Sequence, residues 1–306
     1  MNSRSYVVAV MCAAVAVLAV TVAANVSIDP QGVFGSRLIR SHLNPNGRYR
    51  AYQAYAASPS KFDAVLFASS RGRVFDREVL ARYLDVREVA NFSVPFGMVT
   101  DYLPILELML REDARARGRL KAVFLILDPD YFGESPWTNS EIGNFWPPEV
   151  TGESRFRFWW RYLTVFQYNY WKVDVFHELG IPRSPASATK IAAGPTPRPD
   201  LARQAEMLKR FVELCRAHDV RLVVALPPLS RQNMLEFDAE DVDRNVKGIS
   251  SIVPVWDFGR PDWLSDRADL WEDKVHFSGE VSTMMLQRIF GVKTEAPENF
   301  GSFRSP

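Results

Sequence analysis

The first residue with the potential for chemistry is a serine at the end of an apolar run. Residues 62–68 read Phe-Asp-Ala-Val-Leu-Phe-Ala, and Ser69, Ser70, Arg71 and Gly72 follow directly. An apolar run that stops at small polar residues is typical of a buried parallel strand that turns sharply into a helix. At the carboxyl edge of such a sheet a hydroxyl is exposed near a helix N-terminus, which favours a developing negative charge. Ser70 is therefore our candidate nucleophile, and a helix-capping serine is the commoner explanation of this stretch when it is taken alone.

A serine nucleophile needs a base that accepts its proton and a group that orients the base. The sequence has four histidines, His42, His177, His218 and His276. His276 lies in a loop just before a predicted helix, and Asp273 precedes it by three positions. We predict that the Asp273 carboxylate meets one ring nitrogen of His276 and leaves the other nitrogen for Ser70. A surface ion pair is the alternative explanation of the same spacing.

Alternating strands and helices are predicted to position these residues. Apolar runs indicate strands at 63–68, 88–92, 121–127, 221–226 and 252–256. Apolar residues at helical spacing indicate helices after the first strand and at 100–117, 201–217 and 280–290. This alternation predicts an α/β fold, a three-layer doubly wound parallel sheet of flavodoxin type. We place this domain at residues 61–293 and a C-terminal tail at 294–306.

The alternation is interrupted between residues 131 and 200, a segment rich in Trp and Pro. We predict a helical insertion there. Its aromatic residues either pack a small core of their own or form a surface that faces a substrate or a membrane.

An uncharged run from Tyr6 to Ala24 follows Arg4 near the N-terminus. A helix of this length covers about 28 Å, close to the hydrocarbon thickness of roughly 30 Å. Residues 22–24 resemble a small-residue cleavage site, so a cleaved signal peptide is the alternative, although signal cores usually have about 7–15 residues. We predict a transmembrane anchor at 1–25 and a connector at 26–60, with the following chain outside the cytoplasm.

The composition excludes other classes of function. The formal net charge is +1, so no global field attracts nucleic acid, and we expect no nucleic-acid partner. Cys12 lies in the apolar N-terminal run and Cys215 in a predicted helix, so a structural disulfide is not expected. Two distant cysteines and four scattered histidines provide no metal-ligand spacing, and we expect neither a metal nor another cofactor.

The order of these features resembles that of the SGNH (GDSL-type) hydrolases. The stretch Ala68-Ser69-Ser70 resembles the first block of that family, residues 91–97 resemble the second, and Asp273 with His276 resembles the last. The resemblance spans residues 63–290 and is interrupted by the insertion. It implies an SGNH-like fold with Ser70 as nucleophile, His276 as proton shuttle and Asp273 as the residue that orients it.

The resemblance also implies how an oxyanion would be bound. The backbone N–H groups of Ser70 and Gly97 would donate to it. We expect Asn91 to hold the loop that carries Gly97 and Arg71 to contact a polar substrate. Turn stabilisation and solvent exposure are the alternatives for these last two side chains.

Two departures from the family pattern stand out. The first block lacks its usual Gly and Asp, and the third block, normally Gly-x-Asn-Asp, is Leu127-Asp128-Pro129-Asp130 here. An ionised aspartate cannot donate to an oxyanion, and loss of such a donor typically costs about 100- to 1,000-fold in rate. Asp128 and Asp130 could instead hold the metal of a nucleotide-sugar glycosyltransferase, but the outward topology argues against that use and capping of a strand end explains them more simply.

The Ser-Ser-Arg form of the first block, on a single-pass anchor, is similar to a divergent membrane-tethered branch of the family. That branch includes the lipoteichoic-acid D-alanylation protein DltD and proteins of exopolysaccharide O-acetylation. This resemblance implies an exported esterase or O-acyltransferase that acts on a cell-envelope polysaccharide or related acyl ester, with a membrane-bound O-acyltransferase as a partner. It implies a place in the cytoplasmic (inner) membrane with the catalytic domain in the periplasm, or secretion after signal cleavage. The alternative is a catalytically inactive SGNH-like scaffold of an envelope polysaccharide complex.

Overall fold

The computed structural model describes residues 3–29, 32–36, 47–116, 120–130, 132, 146–164, 201–259, 262–265 and 267–306. Two compact units divide the chain. The first comprises residues 1–52 and 138–195, and the second comprises residues 53–137 and 196–306. His42, His177 and most of the predicted insertion lie outside the described residues.

Helix α1 (Ser3–Ile28) is the N-terminal element of the first unit. With a mean hydropathy of 2.8 over 18 residues, the helix is long and apolar enough to cross a membrane, and a signal sequence would have the same properties. It is the one helix of this kind among the described residues. The predicted apolar helix at the N-terminus is thus present.

An aromatic cluster forms the core of the first unit. Helix α2 (Gly47–Ala56) begins in this unit, and helices α5 (Pro148–Thr151) and α6 (Arg155–Thr164) follow from the second part of the chain. Phe158 and Tyr162 of α6 are buried with Val33. The Tyr49 ring stacks on Phe158 at 5.7 Å, and Trp159 lies 5.5 Å from Phe34. The described part of the insertion therefore packs a small core with the N-terminal segment.

A six-stranded sheet organises the second unit. Its strands are β1 (Ala64–Ala68), β2 (Val89–Ser93), β3 (Ala122–Ile126), β4 (Arg221–Leu226), β5 (Val255–Asp257) and β6 (Ser302–Arg304). The order is β2-β1-β3-β4-β5-β6; the first five strands are parallel and β6 is antiparallel. An order of 2-1-3-4-5 is one of the doubly wound arrangements. The prediction of a mainly parallel α/β sheet is confirmed, and the edge strand β6 was not predicted.

Helices connect these strands. They are α3 (Arg77–Leu84), α4 (Val99–Ala116), α7 (Leu201–Ala217), α8 (Arg231–Met234), α9 (Ala239–Ser250), α10 (Asp262–Ser265) and α11 (Gly279–Ile289), with 3-10 turns at Pro59–Lys61, Ser70–Val74 and Ala268–Leu270. Leu66 and Ala68 of β1 face a cluster that includes side chains of α3 and α11. Phe67 points the other way, with its ring 5.3 Å from Tyr102 of α4 and 5.7 Å from Phe211 of α7. Both faces of β1 are therefore covered, which is why its sequence is apolar without alternation.

Candidate active site

Ser69 and Ser70 occupy different positions in the turn after β1 and make different hydrogen bonds. Ser69 is the N-cap of the 3-10 helix Ser70–Val74, and its Oγ accepts the backbone N–H of Arg71 at 3.2 Å. The capping role considered for Ser70 thus belongs to Ser69. Ser70 is the first residue of this helix, where a backbone N–H has no helical carbonyl to donate to. Its hydroxyl is free to meet another loop.

Gly72 allows this turn to lie against the sheet. A Cβ on Gly72 would overlap the Cβ of Ala68 and the Oγ of Ser93. The backbone N–H of Gly72 donates to the Ser69 carbonyl at 3.0 Å. Because a side chain has no space here, glycine is required by close approach to β1 and β2.

The loop before α11 folds so that Asp273 meets His276. The Asp273 Oδ1 accepts the backbone N–H groups of Val275 and His276, each at 2.8 Å. A bridge between Trp271 and Phe277 closes the base of the loop. This is the Asx-type turn that a short polar side chain makes with the backbone two or three residues later.

Ser70, His276 and Asp273 form a continuous hydrogen-bonded chain. The Ser70 Oγ lies 2.8 Å from Nε2 of His276, and Nδ1 of His276 lies 2.7 Å from Oδ2 of Asp273. The two ring nitrogens therefore have different partners, and the carboxylate fixes Nδ1 as the protonated nitrogen. This is the hydrogen-bonding arrangement of a serine nucleophile with its general base and the orienting acid.

The environment of Asp273 favours its ionised form. Partial burial acts to raise the pKa of Asp273, but hydrogen bonds from the His276 ring and from two backbone N–H groups outweigh it. Together they lower the pKa of Asp273 to about 2. The carboxylate is therefore charged at neutral pH and can stabilise the imidazolium that forms when Ser70 gives up its proton.

Arg71 does not face solvent. Its side chain is 1% exposed and binds Asp130 through two hydrogen bonds, from Nη1 to Oδ1 and from Nη2 to Oδ2, each 2.7 Å long. Asp128 lies 3.2 Å from Nη1. Burial acts to lower the pKa of Arg71, and the two carboxylates raise it above its usual value. The guanidinium is therefore enclosed by these acidic partners and is not exposed for the expected contact with a polar substrate.

Residues 128–130, which follow β3, are part of this buried network. Asn233 donates its Nδ2 to Oδ2 of Asp130 at 2.7 Å, and Asn245 donates to the Pro129 carbonyl at 2.8 Å. Burial raises the pKa of Asp128; Arg71 opposes this shift, and the neighbouring Asp130 adds to it. Two carboxylates thus share one guanidinium below the turn that carries the nucleophile.

Arg71 also joins the nucleophile turn to the histidine loop. Its Nε donates to the carbonyl of Val275 at 3.3 Å, one residue before His276. On the same loop, the carbonyl of Lys274 accepts a hydrogen bond from Ser230 Oγ. The buried side chain of the residue after the nucleophile therefore holds the residue before the base.

The expected oxyanion-binding residues have other partners. The N–H of Gly97 donates to the Val94 carbonyl at 3.0 Å and closes a turn in which Phe96 has φ +51°. Asn91 lies on β2, and its Oδ1 accepts the N–H of Ser93 at 2.7 Å. The Gly97 N–H is therefore engaged within its own turn, and the Asn91 side chain has a local role at the end of β2.

Comparisons with known proteins give no family for this chain. No protein-family model matches it, and no curated protein matches its sequence. Among the described residues, no group of three or more His, Cys, Asp and Glu side chains could hold a metal ion. The geometry around Ser70 is thus the main evidence for what the chain does.

The buried Arg71–Asp130 pair and the role of Gly72 were not predicted from the sequence. A signal for the pair was present, since Asp128 and Asp130 follow a predicted strand that neighbours the strand before Arg71. The carboxyl ends of neighbouring parallel strands meet at one edge of the sheet. The sequence contains no such signal for Asn233. This residue reaches Asp130 from α8, a helix that was not predicted.

Proposed function

We propose that this chain is a serine esterase or O-acyltransferase with an SGNH-like fold, anchored in the cytoplasmic membrane and exposed outside the cytoplasm. The observation that carries the proposal is the hydrogen-bonded chain from Ser70 through His276 to Asp273, at the carboxyl end of a buried parallel strand. The order of the sequence blocks supports the SGNH assignment by resemblance. The apolar helix α1 supports membrane attachment.

In the proposed reaction the Ser70 Oγ attacks the carbonyl carbon of an acyl ester while His276 Nε2 accepts the hydroxyl proton. Asp273 holds the Nδ1–H and stabilises the imidazolium. The tetrahedral intermediate expels the alcohol, which takes the proton from His276, and an acyl-Ser70 ester remains. Water or a glycan hydroxyl then attacks this ester, with His276 accepting its proton, and Ser70 is regenerated. The N–H of Ser70 is the oxyanion donor that the turn provides.

We propose a cell-envelope polysaccharide or related acyl ester as the substrate and a membrane-bound O-acyltransferase as the partner. Both rest on the resemblance to the membrane-tethered branch of the family.

A specific observation favours the alternative, a catalytically inactive scaffold of an envelope complex. The Gly97 N–H is engaged by the Val94 carbonyl, and the stretch Leu127-Asp128-Pro129-Asp130 has no side-chain amide where the third block normally has its Asn. Both features weaken oxyanion stabilisation.

Hydrolysis of a small activated ester tests the proposal. The full chain in detergent is assayed with p-nitrophenyl acetate, together with the Ser70→Ala and His276→Ala variants. His218→Ala is the matched control, because His218 is exposed at the end of α7. We expect both site variants to lower the rate by about 100- to 10,000-fold and the control to leave it unchanged. Equal rates in all four proteins would support the scaffold instead.

A further inference from the structure

Helix α6 carries two large aromatic side chains on its outer face. Phe156 and Trp160 are 74% and 49% exposed, and their rings stack with centroids 5.6 Å apart. The inner face of the same helix is already occupied, since Phe158 and Tyr162 are buried in the aromatic core. Apolar surface left in water forgoes about 25 cal/mol per Å² of favourable transfer free energy. An exposed aromatic pair on a helix whose other face is packed therefore calls for a partner outside this core.

The neighbour of α6 indicates which partner. Helix α6 packs against α1, and Nδ2 of Asn25 donates to the Leu163 carbonyl at 2.9 Å. The buried side chains of α1 are Thr21, Asn25 and Ile28, all in its last two turns. The preceding residues 3–20 cover about 27 Å, close to the thickness of the hydrocarbon layer, roughly 30 Å. Helix α6 thus meets α1 at the level where a spanning segment would leave the hydrocarbon.

Basic side chains flank the aromatic pair. Arg155 and Arg157 lie on either side of Phe156, each about 100° around the helix. Arg155 pairs with Glu149 at 3.0 Å, and the Arg157 side chain forms no ion pair or hydrogen bond with the residues that the structure describes. Helices that lie in a membrane interface combine Trp and Phe on one side with flanking Lys and Arg that meet lipid phosphates. The charge of α6 therefore complements a phospholipid surface.

We propose that α6 is a membrane-interface helix, with Phe156 and Trp160 inserted at the boundary between headgroups and acyl chains beside α1. Arg157 meets lipid phosphate groups there. The proposal rests on the membrane-spanning role of α1 and is independent of catalysis at Ser70. It gives the first unit a second membrane contact beside α1, and the two contacts together restrict how this unit can turn on the bilayer.

Collision accessibility of a nitroxide tests this placement. The full chain, with Cys12→Ser and Cys215→Ala as background, is labelled at Trp160→Cys and reconstituted in nanodiscs of mixed zwitterionic and anionic phospholipid. Oxygen concentrates in the bilayer, whereas a nickel chelate stays in water. Val17→Cys on α1 is the bilayer reference and Lys209→Cys, exposed on α7, is the aqueous reference. We expect the label at position 160 to collide with oxygen at least several-fold more than the Lys209 label, and with the nickel chelate correspondingly less.

Three results would overturn the proposal, and each points to a different cause. Nickel accessibility equal to that of the Lys209 label means that the pair faces water. Low accessibility to both reagents means that protein covers it, either another segment of this chain or a second copy. An aqueous signal at Val17 means that α1 is not inserted. A label at Phe156→Cys repeats the measurement one turn away, so that a local disturbance at position 160 is recognised. Ester hydrolysis measured on the same samples keeps the outcome separate from that of the proposed catalytic function.

Discussion

Replacing Arg71 with methionine is expected to destabilise the α/β unit strongly. The substitution keeps most of the apolar volume and removes the guanidinium that Asp128 and Asp130 share. It leaves two carboxylates buried without a cation, since the side chain of Asp130 is 0% exposed and that of Asp128 is 8% exposed. Both must then be protonated or drawn toward water, and the loop at Val275 loses its contact with the nucleophile turn.

The expected magnitude follows from burial. Removal of one partner from a buried ion pair typically costs about 3–5 kcal/mol, because the other charge is left uncompensated. Arg73→Met is the matched control in the same 3-10 helix. Arg73 lies 3.9 Å from Glu272, and both side chains are about half exposed, at 53% and 51%. Such exposed pairs contribute about 0–1 kcal/mol.

Urea unfolding of the full chain in detergent, followed by tryptophan fluorescence, measures the difference. With an m-value of about 2 kcal/mol/M, the Arg71→Met midpoint is expected to fall by about 1.5–2.5 M and that of Arg73→Met by less than about 0.5 M. Adding Asp130→Asn to Arg71→Met removes one orphaned carboxylate and should recover part of the loss. Midpoints for Arg71→Met and Arg73→Met that agree within error would refute the view that this pair holds the site together.

Three further predictions address other parts of the site and of the unit. Gly72→Ala is expected to lower the unfolding free energy by about 1–3 kcal/mol in urea melts, because the added methyl group overpacks the turn. Gly248→Ala is the control: it has open space around it on α9 and should be neutral or slightly stabilising. Equal effects of the two substitutions would contradict the close approach of the turn to the sheet. The pKa of Asp128 is raised in the folded state, so its contribution to stability is present below its unfolded pKa and is lost as the pH rises through the folded value. Asp128→Asn should therefore flatten the fall in the urea midpoint as the pH rises above the ordinary pKa of an aspartate, about 3.9, and a slope unchanged from wild type would count against the shift. Asp273→Asn should lower kcat for ester hydrolysis by on the order of 10⁴-fold, because the carboxylate no longer holds the His276 ring in the required tautomer. The urea midpoint should change little. An unchanged kcat would exclude Asp273 from the mechanism.

The central strands were predictable because their burial leaves a continuous apolar signal. Every residue of β1 and β3 is buried, and both were predicted to within two residues at each end. By contrast, β6 has three exposed residues and pairs with β5 at the sheet edge, so no apolar pattern marks it. Helix α9 was not predicted, although the sequence contains a signal for it: an N-cap at Asp238 and apolar Val242, Val246 and Ile249 at helical spacing.

The partners of the site residues were only partly predictable. Asp273 and His276 are close in sequence, so the spacing alone predicted their contact, and the end of β1 predicted Ser70. The environment of Arg71 depends on Asp130 and Val275, which lie 59 and 204 residues away. No local pattern distinguishes a buried arginine from an exposed one. The partner of the Gly97 N–H depends on the turn at Phe96, whose positive φ is unusual for a non-glycine residue.

The most direct test of the proposed mechanism is covalent labelling of Ser70. The full chain is treated with a fluorophosphonate, and the modified peptide is identified by mass spectrometry. Ser69→Ala is compared with Ser70→Ala and His276→Ala, since Ser69 differs from Ser70 by one position and caps the turn. The mechanism predicts modification at Ser70 that is retained in Ser69→Ala and lost in the other two variants. An unmodified Ser70 in folded wild-type protein, or labelling that does not depend on His276, would contradict it.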